Sequence, residues 1–388
     1  MHLDPTFWAL VVGIGGWLRV APVCGTTAFG LANIVALALL GGPAVAIAGS
    51  VVAIVLWTIL WLATQEPAGI GWIARRLAYL TPVVVFFAYK AAGDWVGVRA
   101  WLSTVEPLNQ VHTLLVGLSF SYTALRCVDA AHGVLGKNVP LLDPVGLAGY
   151  LFPFHMLLAG PIAAYDQHVK LDGPIEVDWA ERLRKSLNDI STGLIFKHVC
   201  AEYLRIFLFG FDAPLASRGL IDTAVLFVYL FFDFAGYSRI ALGVGTLMGV
   251  PTPSNFRAPF AARNITDFFS RWHMSLGGWV QRNIYVPLQL KLVRQFGVRR
   301  ALWLALATLI VCWLFVGLWH RLSFRFAVYG VTFAVVVWVE KIMIDRRWLR
   351  PARAGTLKAW LRRGLGMAYV FIVVTLMLQI VMNELLKP

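Results

Sequence analysis

Residues 301–320 read ALWLALATLIVCWLFVGLWH, a run without Asp, Glu, Lys or Arg that ends at a histidine. A helix needs about 20 mostly apolar residues to cross the hydrocarbon core of a bilayer, and this run supplies them. The whole chain is similar, since 59% of its 388 residues are hydrophobic and 14% are charged. No soluble core could absorb that much apolar surface. The sequence therefore predicts an all-α, polytopic membrane protein.

Similar apolar runs recur along the chain, and they predict roughly eleven transmembrane helices within a range of eleven to thirteen. The run 27–63 is too long for one span and is broken by Gly41-Gly42-Pro43, so it should form two helices. No internal repeat and no linker is evident, which favours a single membrane domain over residues 1–388. The expected spans are 6–22, 27–47, 43–63, 77–93, 107–126, 144–163, 190–210, 220–250, 267–289, 300–319, 322–344 and 364–385.

The formal net charge of +14 comes mainly from clusters in the gaps between apolar runs. Such clusters are typical of loops that stay cytoplasmic and contact anionic lipid head groups, so nucleic acid is not an expected partner. Residues 164–188 are the most polar stretch. They predict either an amphipathic interfacial helix or a solvated loop. The basic clusters are Arg75 and Arg76, Arg182 to Lys185, Arg299 and Arg300, and Arg346 to Arg363.

Several common chemistries have no support in the sequence. Four cysteines, Cys24, Cys127, Cys200 and Cys312, are scattered singly without metal-ligand spacing, so neither a metal nor a disulfide is expected. HExxH, Walker-type and GxSxG motifs are absent from the sequence. The GxGxxxG pattern of Gly243, Gly245 and Gly249 lacks a preceding strand, so it indicates close helix packing rather than nucleotide binding.

The region 231–288 differs from ordinary spans because polar residues interrupt it at short intervals. Lipid-facing helices do not tolerate that density, so these side chains should face the protein interior or a water-filled cavity, where they mark function. The interrupting residues are Asp233, Arg239, Asn255, Arg257, Arg263, Asp267, Arg271 and His273.

Two histidines stand out by their setting. His273 follows NITDFFSRW, in which Asn264 or Thr266 should cap a helix that begins near Asp267, with Asp267 and Arg271 paired at i and i+4. His320 ends the run quoted first, which places it at the mouth or in the interior of a membrane cavity. A histidine suits the role of general base because its pKa lies near neutrality. The alternative is a hydrogen-bond donor in helix packing.

Four ordered segments resemble the membrane-bound O-acyltransferase family, in particular its bacterial branch that contains alginate O-acetyltransferase and the D-alanyl transfer protein of teichoic-acid modification. GLSFSYTALRCVDAAHG (117–133) and LFPFHMLLAGPI (151–162) are similar to two family motifs. The segment 231–288, from FFDFAGYS to NIYVPL, is similar to a third motif, and GLWHR (317–321) to a fourth. The resemblance covers residues 115–345.

The resemblance implies a ring of tilted helices around a tunnel, with the family's bottleneck histidine matching His320 and its accompanying asparagine or histidine matching His273. It implies an acyl thioester donor, acyl-CoA or an acyl carrier protein, that approaches from the cytoplasm without a tightly bound cofactor or metal. The residues expected to bind substrate or line the tunnel are Trp272, Trp319, Arg271, Asp267, Asn255, Asp233, Tyr237 and Arg321.

The chemistry of these groups fits direct transfer. His320 would deprotonate an acceptor hydroxyl that attacks the thioester carbonyl, and His273, a Trp N–H or a backbone N–H would stabilise the oxyanion. Three residues depart from the family pattern, and QLKLVRQFGVRR (289–300) stands where the acetyltransferase branch has a Gly-Gly-Asn-Arg loop. Arg321 follows the histidine, Arg239 follows YS, and Asn283 stands where the family has Asp. A cation beside the base should depress its pKa or bind an anion.

The sequence thus predicts transfer of a small acyl group to a hydroxyl of an envelope polysaccharide or polymer, in the bacterial cytoplasmic (inner) membrane. Acetyl transfer is favoured over D-alanyl transfer. Expected partners are membrane lipids, the donor or its carrier protein, the polymer and an extracytoplasmic partner acyltransferase. A membrane transporter or flippase is the alternative from another class, and it would also explain polar residues in broken helices.

Overall fold

A computed structural model of the chain describes residues 5–20, 25–65, 69–136, 139–172, 178–209, 219–345 and 357–385. These residues contain no strand and a single antiparallel bridge between Phe256 and Trp272, which confirms the all-α class. Two short π-helical segments, Phe196–Cys200 and Gln281–Tyr285, interrupt the helices. The α-helices are α1 Pro5–Val20, α2 Thr26–Gly41, α3 Pro43–Gln65, α4 Ile70–Asp94, α5 Val96–Ser103, α6 Glu106–Gly117, α7 Phe120–Gly136, α8 Pro144–Leu151, α9 Tyr165–His168, α10 Trp179–Ile195, α11 Ala201–Phe209, α12 Leu220–Met248, α13 Ile265–Phe269, α14 Met274–Val280, α15 Val286–Phe296, α16 Ala301–His320, α17 Phe324–Asp345 and α18 Leu357–Leu385.

Within the described residues, six helical segments are long and apolar enough to cross a membrane, and α6 with α7 would add a seventh across a 74° bend. The chain is therefore a polytopic membrane protein, whereas the predicted count of about eleven spans is not confirmed. The six segments are Pro43–Gln65, Ile70–Asp94, Leu220–Met248, Val298–His320, Phe324–Ile344 and Trp360–Met382.

Two predicted spans are broken by their own sequence. The run 144–163 ends as a helix at Leu151, since Pro153 disfavours helical geometry at the residue before it and removes a backbone donor. The run 267–289 is divided between α13, α14 and α15, with the first break at residues 270–273. By contrast, the predicted break at Gly41-Gly42-Pro43 is confirmed, because Gly42 adopts φ 90° between α2 and α3.

Some predictions concern residues outside the described ranges, namely Cys24, positions 173–177 and positions 346–356 of the basic Arg346–Arg363 segment. Of the polar stretch 164–188, the latter part forms the start of α10, as one of the two interpretations predicted. There Glu181 and Arg184 form an ion pair one helical turn apart, at 2.9 Å.

The chain divides into two compact units, residues 1–193 with 237–253 and residues 194–236 with 254–388. In the first unit, α7 supplies the fully buried Arg126, which donates to the carbonyl oxygens of Leu151 at 3.1 Å, Met156 at 3.0 Å and Pro161 at 3.3 Å. The broken helix 144–163 leaves these carbonyls without helical partners, and the guanidinium satisfies them. The expectation of one membrane domain stays a prediction.

The GxGxxxG pattern also lies in the first unit. A Cβ on Gly243 would come within 2.7 Å of the Ser186 carbonyl oxygen, and one on Gly245 would overlap the Thr252 hydroxyl. Close helix packing is thus confirmed for Gly243, which faces α10, whereas Gly245 packs against Thr252 in the loop after α12. Gly249 differs, since it follows the end of α12 with φ 76° and serves a turn rather than a helix contact.

In the second unit, α16 and α17 are joined by three residues and pack closely along one glycine-containing face. A Cβ on Gly317 would overlap the carbonyl oxygen of Phe326, and a Cβ on Gly330 would overlap the carbonyl oxygen of Trp313. Both contacts are to backbone atoms, which cannot rotate away. The separation of these two helices, and so the position of His320 at the end of α16, depends on the two glycines.

Gly330→Ala is expected to destabilise the protein by about 1–3 kcal/mol, because the added methyl group forces α16 and α17 apart. Gly364→Ala in α18 is the matched control. No atom lies within 4 Å of a Cβ at Gly364, and alanine favours the helix there. Thermal unfolding of the detergent-solubilised protein measures the difference, and equal midpoints for the two variants would contradict this packing argument.

Candidate active site

His273 is held by a short antiparallel contact between two irregular segments. The Arg257 N–H donates to the Arg271 carbonyl oxygen at 3.0 Å, and the Met274 N–H donates to the Asn255 carbonyl oxygen at 3.0 Å. His273 itself adopts φ 48° and ψ 48°, a left-handed conformation that costs a residue with a Cβ about 1–2 kcal/mol. Such strain persists only where the surroundings impose it, and it is concentrated at functional sites.

Asn255 fixes the register of that contact. Its side chain is buried, and its Oδ1 accepts from the Ser275 hydroxyl at 2.6 Å and from the Ser275 N–H at 3.3 Å. The second bond satisfies a backbone donor that the start of α14 leaves without a helical partner. Asn255, predicted to line the tunnel, therefore contacts the backbone that carries His273.

The preceding helix, α13, is anchored at its first turn. The Asn264 side chain accepts from the Asp267 N–H at 2.7 Å, which confirms the predicted cap, although the helix begins at Ile265. The predicted ion pair of Asp267 with Arg271 forms at 2.7 Å.

A second contact that anchors α13 was not predicted from the sequence. The buried Glu340 carboxylate on α17 accepts from the Ile265 N–H at 2.8 Å, where the helix dipole favours negative charge.

Trp272, the residue before the strained histidine, packs into an aromatic cluster. Its ring stacks on Phe268 at 5.4 Å and meets Phe256 edge-on at 5.1 Å and Phe227 at 5.6 Å between ring centroids. Aromatic pairs of this geometry contribute about 0.5–1.5 kcal/mol each beyond their buried area. The cluster therefore fixes the direction in which the next side chain, His273, leaves the backbone.

Trp319 connects the two histidines predicted from the sequence. Its ring lies 4.8 Å from the His320 ring and 6.3 Å from the His273 ring, and it is buried. The His273 ring also meets Phe234 edge-on at 4.7 Å. The histidines are far apart in the sequence, and one aromatic side chain contacts both.

The His273 imidazole is buried, and neither of its ring nitrogens has a hydrogen-bond partner among the residues that the structure describes. It lies outside the six spanning segments. Burial lowers the pKa of His273 to about 3, and the neighbouring His320 adds to this lowering. A neutral imidazole has one N–H donor and one acceptor nitrogen. His273 thus offers an unused donor at neutral pH.

His320 is the last residue of α16 and is exposed. The sequence placed His320 either at the mouth or in the interior of a membrane cavity, and its exposure corresponds to the mouth. The buried imidazole is His273. General-base chemistry at His320 is compatible with this exposure, because a base must be reached by the proton that it accepts.

A cavity of about 520 Å³ lies beside both imidazoles, entirely within the second unit. Its volume is in the range of small-molecule sites. Its wall includes both ends of the π-helical segment, Gln281 and Tyr285, and π-helical turns occur frequently at functional sites. Residues that line it include Trp272, His273, Leu276, Gln281, Tyr285, Cys312, Val316, His320, Tyr329 and Lys341.

Only some of the residues predicted to bind substrate line the cavity. Trp272 lines it, and Trp319 contacts both imidazoles without lining it. Asp233 pairs with Lys197 at 2.5 Å, and the Tyr237 hydroxyl accepts from the Leu158 N–H at 3.2 Å in the first unit. Arg321 donates to the Glu384 carbonyl oxygen at 2.5 Å.

The sequence analysis missed four residues that line the cavity, namely Gln281, Tyr285, Tyr329 and Lys341. Of these, Lys341 carried the clearest signal, because it is a cation inside an apolar run.

Among the described residues, no group of three or more His, Cys, Asp or Glu side chains is placed to hold a metal ion. A model of the membrane-bound O-acyltransferase family matches residues 77–386, which include the cavity and both histidines. The chain belongs to the membrane-bound O-acyltransferase family. It is an O-acyltransferase, and the expected family membership is confirmed.

The chain is also similar to individual members of this family. It is 26% identical to teichoic acid D-alanyltransferase of Bacillus subtilis over 78% of this chain and 79% of the relative. It is 29% identical to that of Streptococcus thermophilus over 65% and 62%, respectively. A probable alginate O-acetylase of Pseudomonas putida is 26% identical over 70% of this chain, which spans only 55% of that relative's length.

Proposed function

We propose that this O-acyltransferase moves a small acyl group from a thioester donor to a hydroxyl of an envelope polymer, with His320 as the general base. The observation that carries the proposal is the convergence of His273 and His320 on one cavity wall. An exposed base and a buried hydrogen-bond donor, held by separate elements, are the two groups that acyl transfer requires.

The reaction then proceeds in one transfer. A ring nitrogen of His320 accepts the proton of the acceptor hydroxyl as its oxygen attacks the thioester carbonyl carbon. The N–H of His273 donates to the oxyanion of the tetrahedral intermediate. The carbon–sulfur bond breaks as the intermediate collapses, and the His320 imidazolium returns the proton to the departing thiolate. No acyl-enzyme forms.

The part of the cavity near Lys341, far from the imidazoles, suits the acyl thioester donor. Lys341 lies about 18 Å further along α17 than Tyr329, at the helical rise of 1.5 Å per residue, and both residues line the cavity. Acyl-CoA and acyl carrier proteins carry the thioester on a long arm that bears phosphate. The Lys341 ammonium would bind such an anion, with the thioester directed toward the imidazoles.

The acyl group that we propose is acetyl. The described residues that line the cavity include no Asp or Glu, so the ammonium of a D-alanyl group would lie there without a carboxylate to pair with. D-Alanyl transfer is the second candidate, because relatives that carry that name match this chain over most of their own length. In either case the enzyme would lie in the bacterial cytoplasmic membrane, with the donor inside, the polymer outside, and an extracytoplasmic acyltransferase as a partner.

The test compares envelope polymers from cells with the gene intact, deleted and restored. Ester-linked groups are released by mild alkali and identified by mass spectrometry. We expect acetate to fall on deletion and to return on restoration. A loss of D-alanine instead would establish the second candidate, and unchanged amounts of both groups would contradict the proposed function.

A further inference from the structure

The turn that follows His320 is fastened to the end of α18. Helix α16 ends at His320, and Arg321 leaves the helix with extended geometry, φ −153° and ψ 135°. Helix ends fray because their last carbonyl groups lack helical partners. A residue on the last turn therefore keeps a fixed position only if other groups hold the chain beyond it.

One residue of α18, Glu384, binds this turn through its backbone and its side chain. Its carbonyl oxygen accepts from the Arg321 guanidinium at 2.5 Å. Its Oε2 accepts a short hydrogen bond from the Ser323 hydroxyl. The Glu384 side chain is only 14% exposed, so solvent competes little for these bonds. Bonds to charged groups are also shorter and stronger than neutral ones.

Ser323 also bonds to the start of α17, and so connects that helix to Glu384. Its oxygen accepts from the Phe326 N–H at 3.4 Å, which is a capping bond at the start of α17. Its N–H donates to the Arg321 carbonyl oxygen at 2.9 Å. The hydroxyl proton is thereby left for the Glu384 carboxylate. The turn, the start of α17 and the end of α18 form one hydrogen-bonded unit immediately after His320.

We infer that Glu384 is a positioning residue for His320, and that it acts through the Ser323 hydroxyl together with Arg321, one of the departures from the family pattern. The inference rests on the proposed function, since it matters only if His320 takes a proton. The sequence suggested that Arg321 would bind an anion or depress the pKa of the base. The contact observed for its guanidinium is with the Glu384 carbonyl group.

Two pairs of variants test the role of Glu384. Glu384→Ala removes the acceptor of the Ser323 hydroxyl, whereas Glu384→Gln keeps an oxygen acceptor there. Ser323→Ala and Ser323→Thr form a second pair that differs in the hydroxyl group. We expect each alanine variant to lose about tenfold or more of the ester formed per molecule of enzyme, since small misplacements of a catalytic group are costly. We expect the glutamine and threonine variants to recover most of it.

Arg325→Gln is the matched control. Arg325 lies 3.8 Å from Glu384 but is 51% exposed, and exposed pairs of this kind contribute little. Alkali-labile ester on the envelope polymer, normalised to enzyme abundance, is the activity readout, and unfolding midpoints of the purified variants are measured alongside it. We expect the alanine variants to lose far more ester than the change in their unfolding midpoints accounts for, and the conservative variants to lose little, which a merely structural role would not produce.

Two results would overturn the inference. One is normal ester content in Glu384→Ala. The other is a loss of ester that follows the unfolding midpoint in every variant, Arg325→Gln included. The proposed function is judged separately by His320→Ala. If His320→Ala abolishes ester formation and Glu384→Ala does not affect it, the base assignment stands and only the positioning role fails.

Discussion

His320→Ala is expected to lower acyl transfer by about 10²–10⁴-fold, the usual contribution of a general base. The substitution removes the group that accepts the hydroxyl proton. His320 is exposed at the end of a helix, so the truncation leaves no cavity in a packed core. The loss should therefore appear as catalytic activity rather than as protein abundance. His320→Gln, which keeps a hydrogen-bonding side chain but no base, should be equally inactive.

His198→Ala is the matched control for this experiment. His198 lies in the same unit, outside the residues that line the cavity, and its buried Nε2 has no hydrogen-bond partner within the described part of the chain. Removal of that ring should leave transfer at the wild-type level. Ester content of the envelope polymer, measured at matched enzyme abundance, distinguishes the two histidines. Transfer by His320→Ala at a rate near that of wild type would refute the assignment of the base.

His273→Ala is expected to lower transfer by about 10²–10³-fold, the effect of removing one donor to an oxyanion. Alanine at this position has two defects, because it lacks the donor and must also adopt the left-handed conformation of His273. Two further variants separate these effects. His273→Gly relieves the backbone strain without restoring a donor. His273→Asn restores an N–H donor in a residue type that tolerates this conformation well.

The expected order of activity is wild type, then asparagine, then glycine and alanine together. If glycine were as active as asparagine, the backbone shape alone would matter and the donor role would be wrong. The acid limb of the pH–activity profile should be the same for wild type and His273→Asn. Because burial holds the pKa of His273 at about 3, its ring has no proton to gain near neutral pH.

The sequence predicted this site where histidines or polar residues interrupt or end apolar segments. A histidine at the end of the run 301–320 and a polar segment around His273 predicted the two imidazoles that the cavity brings together. The Asp267–Arg271 pair and the Asn264 cap were also predictable, since both depend on neighbours within one helical turn. These features are local, and local spacing determines them.

Other parts of the site depend on contacts between distant segments. Nothing near Asn255 in the sequence indicates that its amide binds Ser275, and nothing near Arg321 indicates Glu384. The predicted number of spans is not confirmed for a related reason. Hydropathy counts apolar residues, whereas Pro153 and the left-handed His273 break runs that are apolar enough to cross a membrane.

By itself the sequence determined that this protein is an all-α membrane protein of the O-acyltransferase family, because bilayer insertion and the family motifs depend on residue type and order. The tertiary structure decided which histidine is exposed and which is buried, and that Lys341 shares their cavity. The physical reason is that burial and cavity walls are created by helix packing. That packing is set here by backbone contacts at Gly317 and Gly330, and residue order alone does not specify it.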